Sequence, residues 1–142
     1  MRCPEEISEF IRENKVATMC YVEEALPNCF NCLYACMPDG GGLIFKSSRS
    51  SLHSSAMQDN DAVAGTIYRS SESGLDNAGV QFRGRVAGDY TLRDAAEKTY
   101  YKRYPLALLI PGELFVVLFD NIKFTRTTKG IRQKNNWERA KN

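Results

Sequence analysis

The 142-residue sequence predicts a small, mostly antiparallel β-barrel with helices on its outside. Three observations point there. Roughly six or seven β-rich stretches are separated by turn signals, and two or three other stretches carry helix punctuation instead. The long segment VQFRGRVAGDY, residues 80–90, holds two glycines of the kind that bulges and barrel corners use. Pattern alone does not separate the several barrel types.

The elements follow in order. Pro4 can open a helix, Glu5 and Glu6 suit its positive end, Ile7, Phe10 and Ile11 give it one apolar stripe, and Asn14 can end it. KVATMCYV, residues 15–22, reads as a partly alternating strand, and residues 23–27 as a turn. A second strand covers 28–37, the PDGGG stretch at 38–42 is a hairpin turn, and LIFKS is the third strand. The serine-rich run 47–56 leads into a short helix ending near Asp59 and Asn60. AVAGTIY, 62–68, is a strand, SSESGLDNAG, 70–79, a polar loop, and 80–90 a long strand. Thr91 with Asp94 resembles a capping box before the helix LRDAAEKTYYKRY, which Pro105 stops. After Pro111 and Gly112 come two strands, ELFVVLFD and IKFTRTT. Residues 130–142 form a basic tail carrying the only tryptophan.

Composition bounds the function. With 43% hydrophobic and 25% charged residues the chain has the make-up of an ordinary globular protein, and its length suits one domain over 1–142. A formal net charge of +2 is too small to argue for nucleic-acid or membrane partners. No apolar run is long enough to span a bilayer, and the acidic start lacks the apolar core of a signal peptide, so a cytoplasmic protein is expected. Five cysteines without a secretory signal point to reduced thiols.

Several stretches invite a functional reading. Cys29 and Cys32 form a C-x-x-C pair, with Cys36 beyond. On a strand, however, Cys29 and Asn31 face one side while Phe30, Cys32, Tyr34 and Cys36 face the other, so the pair cannot jointly grip a metal. Packing is the simpler role for these thiols, and no metal site is expected. The glycines of PDGGG enter a strand rather than a helix, which excludes a phosphate loop. Lys46, Ser47, Ser48, Arg49, Ser50, Ser51 and His53 put hydroxyls and cations at a strand-to-helix junction, where helix N–H groups favour an anion. A solvated, self-capped serine loop has the same composition. Gln81 and Arg83 give one strand a polar face, and Trp137 is either an anchor against the body or a ring that stacks on a ligand.

KVATMC, CFNCLY, AVAGTI, GVQFRGRV, RYP, IKFT and W-E-R stand in the order seen in a largely uncharacterised bacterial branch of the pyridoxamine 5′-phosphate oxidase-like proteins. The chain resembles that family from about Val16 to Trp137, most strongly at Gly79 to Val86. The resemblance implies a split β-barrel, usually a homodimer, that binds FMN in a groove at the dimer interface. It assigns Ser47, Ser48, Ser51 and His53 to the flavin phosphate and ribityl chain, Gln81 and Asn31 to the neighbourhood of the flavin, and Trp137 to packing near the ring. Relatives tend to carry Thr-Arg-His where this chain has Ser51-Leu52-His53, so Lys46 or Arg49 would replace the missing cation. The implied activity is an FMN-dependent oxidoreductase acting on a small molecule. A non-enzymatic carrier or sensor of flavin or haem is the alternative.

Overall fold

The computed structural model describes residues 3–141, apart from residues 49 and 89 and the side chains of residues 52, 53 and 90. Helix α1 (Glu5–Glu13) starts after Pro4 and buries Ile7, Phe10 and Ile11. Strands β1 (Val16–Glu23) and β2 (Leu26–Cys36) form a hairpin, and β3 (Gly42–Ser47) follows. Helix α2 (Leu52–Asp59) leads into β4 (Ala62–Ser70) and β5 (Asn77–Val86). Helix α3 (Arg93–Arg103) and a 3-10 turn (Pro105–Leu109) precede β6 (Glu113–Thr128) and β7 (Ile131–Glu138).

All pairings are antiparallel, in the order β3-β2-β1-β4-β5-β6-β7, and a further β3–β6 pairing closes the sheet into a ring. The 16-residue β6 makes closure possible because it shares one edge between two partners. Its start, Glu113 to Leu118, pairs with β3, and its end, Asn121 to Thr128, pairs with β7. The other edge runs along β5, with a register shift between Arg83 and Gly84 that leaves Asp120 as the extra residue. Arg139 fastens this changeover: its Nε donates to the Phe119 carbonyl at 2.7 Å and its Nη2 to the Gly41 carbonyl at 2.8 Å.

The inner faces hold the core. Strand alternation turns Met19, Tyr34, Phe45, Val80, Phe82 and Phe119 inward, and α1 plugs one end with Phe10. Tyr34 ties the layers together. Its hydroxyl donates to the Ile11 carbonyl at 2.7 Å, its N–H to the Lys15 carbonyl at 2.9 Å, and its carbonyl accepts from Tyr104. A second, smaller cluster lies outside the ring, where Ala96 and Tyr100 of α3 cover Ala35, Ile44 and Val116.

The mainly β, antiparallel barrel with outer helices agrees with the sequence reading, and four local expectations are corrected. The two strands expected after Gly112 are one, because the irregularity at Asp120 bends β6 without ending it. The expected basic tail is mostly strand β7, which fills the edge of β6 that β3 leaves unused. The strand starting in VQFRGRV ends at Val86 rather than Tyr90, and it begins three residues earlier, at Asn77, taking the end of the expected loop. The capping box does not form: a 3-10 turn runs straight into α3 behind Leu92, with no side-chain cap bond. The continuing 3-10 backbone already supplies the turn that a cap would have had to start.

Gly84 sits where β5 presses on the bulge, and a Cβ there would collide with the Leu118 carbonyl. Because the obstacle is backbone, Gly84→Ala should destabilise the protein by about 1–3 kcal/mol. Urea unfolding would show this as a lower midpoint with an unchanged slope; an unmoved midpoint would contradict the close packing described.

Candidate functional site

The ladder between β2 and β3 is short. It joins Tyr34 to Phe45, Ala35 to Ile44 and Cys36 to Leu43, and stops there. Had it continued, Leu33 would face Lys46 and Asn31 would face Ser48. Instead β3 leaves toward α2 while β2 stays with β1 down to Leu26, so the two strands part and leave a mouth in the ladder. Tyr100 of α3 closes the inner end of this mouth, its hydroxyl donating to the Leu33 carbonyl at 3.3 Å, and the gap beyond it lies between Asn31 and Ser48. Asn31 and Leu33 stand on one side of it, Lys46, Ser47, Ser48 and the start of α2 on the other.

Backbone parity decides what β2 presents there. The two-residue turn at Glu24 and Ala25, both with positive φ, makes Glu23 and Leu26 a hydrogen-bonded pair, and the Tyr34 N–H bond to Lys15 fixes the same parity at the other end. The N–H groups of Cys29, Asn31 and Leu33 therefore point away from β1, toward the mouth. Pro27, which has no N–H to offer, falls on that same edge.

Opposite them, the serines make a compact network. Ser51 caps α2, its Oγ accepting from the Ser54 N–H at 3.3 Å while the two hydroxyls lie 2.6 Å apart. Ser51 and the fully buried Ser54 both donate to the Ser48 carbonyl, at 2.8 and 2.7 Å, and Ser47 Oγ lies 3.4 Å from Ser51 Oγ. Ser48 is exposed and its hydroxyl meets that of Ser50 at 2.8 Å. The loop thus satisfies itself and also collects hydroxyls around a helix start, a donor set suited to one phosphate group.

Lys46, expected to replace the missing cation, reaches the 3-10 turn. Its Nζ donates to the Ala107 carbonyl at 2.8 Å and lies 4.9 Å from the Tyr101 ring centre, which fastens the 3-10 turn beside the mouth. Arg49 and the side chain of His53 lie outside the described residues. Gln81 is exposed on the outer sheet face, in one cross-strand row with Asn31, Thr18 and Thr66. Thr18 Oγ1 donates to Asn31 Oδ1 at 2.9 Å. Sequence reasoning missed both threonines, although their outward alternation on β1 and β4 was the available signal. Trp137 is 7% exposed and points into the core, 5.6 Å from the Arg139 guanidinium; its indole N–H is buried and has no hydrogen-bond partner among the described residues.

The C-x-x-C thiols separate as alternation requires, Cys29 exposed and Cys32 buried. Burial pushes the Cys32 and Cys36 thiols up to about 12 and the Cys3 thiol to about 11, so they stay protonated. Among the described residues no group of three or more His, Cys, Asp and Glu side chains could hold a metal. A second hollow, about 1010 Å³, lies between α2, α3 and the start of β6, with Arg93, Glu97, Tyr101 and Glu113 on its walls; Ser48 borders it too. No helix among the described residues is long and apolar enough to cross a membrane.

No family model matches the chain. It is 27% identical over 137 residues to a UPF0306 protein of Citrobacter koseri, with 94% of this chain and 92% of that one aligned. A UPF0306 protein of Klebsiella pneumoniae is 29% identical over 136 residues, covering 94% and 91%. Among solved structures, the fold is similar to a FAD-binding protein from Mesorhizobium loti (TM-score 0.69, 14% identity, 89% of this chain and 96% of that one). It is also similar to a haem-binding protein from Mycobacterium smegmatis (TM-score 0.77, 14% identity), covering 95% of this chain and 59% of that one. A Clostridium acetobutylicum protein of the pyridoxinephosphate oxidase family matches with TM-score 0.60 at 12% identity, over 94% and 92%. These likenesses establish the split-barrel fold.

If Lys46 is a clamp, Lys46→Met should release the 3-10 turn at a cost of about 1–3 kcal/mol, the usual loss for a charged hydrogen bond. Amide exchange of residues 106–110, above all Ala107 and Ile110, should quicken selectively. Unchanged exchange there would show that the Ala107 contact holds nothing.

Proposed function

We propose that this protein binds FMN at the mouth between β2 and β3, as a homodimer, and uses it in oxidation–reduction of a small molecule. The observation that carries this reading is the pairing of the two walls. One is a serine-lined helix start that suits a phosphate monoester; the other is a strand edge whose N–H groups point into the opening. The split-barrel proteins that share the fold include FAD binders, which supports a flavin.

The roles divide by chemistry. Ser47, Ser48 and Ser51, with the first-turn N–H groups of α2, hold the phosphate, and Arg49 and His53 supply positive charge. The N–H groups of Cys29 and Asn31, with the Asn31 side chain, hydrogen-bond the polar edge of the ring. Asn31, Thr18, Thr66 and Gln81 form the polar row next to it, and Trp137 supports that sheet from inside. The flavin supplies the electron or hydride transfer, so the chain needs to position, orient and exclude water rather than provide a nucleophile. Internal serine–serine bonds are no obstacle, because bonds from neutral donors to a phosphate dianion are about twice as strong as those between neutral groups.

The dimer reading rests on the turn that Lys46 fastens. Leu106, Leu108, Leu109 and Ile110, four of the five residues of the apolar run 106–110, are between 61% and 81% exposed. Such a run is covered in the working molecule more often than left to solvent. A second copy of the chain over it would also shield a flavin from water.

Titration of the purified protein with FMN, riboflavin, FAD and haemin tests the cofactor. FMN should bind with quenched flavin fluorescence. Ser48→Asp, which places a carboxylate at an exposed site, should weaken FMN about tenfold or more, a loss of roughly 1.4 kcal/mol or more. Riboflavin, without the phosphate, should be unaffected. No flavin binding, or haemin binding alone, would overturn the reading; equal loss for riboflavin would remove the phosphate assignment. The Leu106→Glu/Leu109→Glu double variant should sediment as a monomer where the parent sediments as a dimer. A monomeric parent, or a dimer that survives both charges, would contradict the interface.

A further inference from the structure

The outer face of the β1–β2 hairpin carries two thiols that the flavin reading does not use. Cys20 and Cys29 are direct cross-strand partners, and their sulfurs lie 3.0 Å apart. The parity that sends the Cys29 N–H toward the mouth makes this a non-hydrogen-bonded pair, the antiparallel position where opposing side chains approach most closely. There the Cα separation, about 4.5 Å, falls inside the range that a disulfide spans, so closure needs side-chain rotation and no backbone movement. Cys29 is exposed and Cys20 partly so, whereas the other three thiols are buried in the core.

We propose that Cys20 and Cys29 form a reversible redox couple, closing to a cross-strand disulfide by exchange with a small-molecule disulfide of the glutathione class. Cys29, the more accessible sulfur, attacks as thiolate. It forms a bond to one sulfur of the reagent, the reagent's S–S bond breaks, and one small thiolate leaves. Cys20 then loses its proton and attacks the Cys29 sulfur of the mixed disulfide, which expels the second small thiolate. Two protein thiols are oxidised, one small disulfide is reduced to two thiols, and the two protons pass to the leaving thiolates. The order follows from the surroundings: burial first, then the hydrogen bond and field of the Cys29 sulfur, push the Cys20 thiol up to about 11, which suits it to the second step.

The couple does not depend on the flavin. The two readings meet at Cys29, whose backbone N–H serves the flavin and whose thiol serves the couple, and they are tested by separate measurements.

The full chain is equilibrated with mixtures of reduced and oxidised glutathione, trapped with an alkylating agent and denatured. Free thiols should fall from five to three, with the mass of two hydrogens lost and no glutathione retained. Cleavage after Glu23 and Glu24 separates Cys20 from a peptide that carries Cys29, Cys32 and Cys36, so fragmentation of the linked pair, with the alkylating agent found on Cys32 and Cys36, identifies the bond. Cys20→Ser should trap glutathione on Cys29, and Cys29→Ser should retain four free thiols and stay unlinked under the same buffer. Glutathione on Cys29 of the parent chain, a bond to Cys3, Cys32 or Cys36, a bond between two copies, or no change at any ratio would each overturn the proposal. Circular dichroism of both serine variants confirms that the comparison is between folded proteins.

Discussion

The architecture depends on one constraint, the shared edge of β6. A strand of 16 residues has more edge than any single neighbour here can use, so β3 takes its start and β7 its end. The exchange occurs at Asp120, where Gly84 lets β5 come close and Arg139 joins β6 to the Gly41 turn. Closing the ring through β3 also has a cost elsewhere. With six residues, β3 bridges β2 and β6, and it holds β2 over only three pairs before turning toward α2. The mouth between β2 and β3 is therefore a result of how the barrel closes.

That origin explains the mixture of groups at the mouth. The edge of β2 keeps outward-pointing N–H groups because β3 has left it. The junction after β3 is rich in serine because a strand must become a helix within a few residues, and Ser51 and Ser54 hold that turn. Lys46 secures the apolar turn from the other side. The same residues thus serve the fold and furnish a place for an anion next to a polar strand edge. Structural sufficiency of the serine network and ligand binding at its rim are compatible, since Ser48 and Ser50 bond each other at the surface while Ser54 is buried.

Much of this was legible in the sequence. Alternation along CFNCLY separated the C-x-x-C thiols correctly, and the PDGGG turn and the glycines near residue 84 were placed where the chain bends. The pairing of β3 and β7 with one edge of β6 was not legible, because long-range partnership leaves no local periodicity. For the same reason the polar stretch IRQKNNWE read as a tail: only β7's place on an open edge makes it a strand, with Trp137 as its single inward anchor. The Cys20–Cys29 pairing was missed by a small margin. It needs the turn between β1 and β2 to be fixed at Glu24 and Ala25, residues that carry none of the usual glycine or asparagine signal for positive φ.

Backbone amide shifts of the uniformly labelled protein, followed during FMN titration, test the location of the site most directly. Binding at the mouth predicts the largest shifts at Cys29 and Asn31 on β2 and at residues 47–54, with Thr18 and Thr66 following, while Arg93 and Glu97 at the start of α3 stay nearly still. Shifts confined to Arg93, Glu97, Tyr101 and Glu113 would place the ligand in the hollow between α2 and α3 and contradict the account.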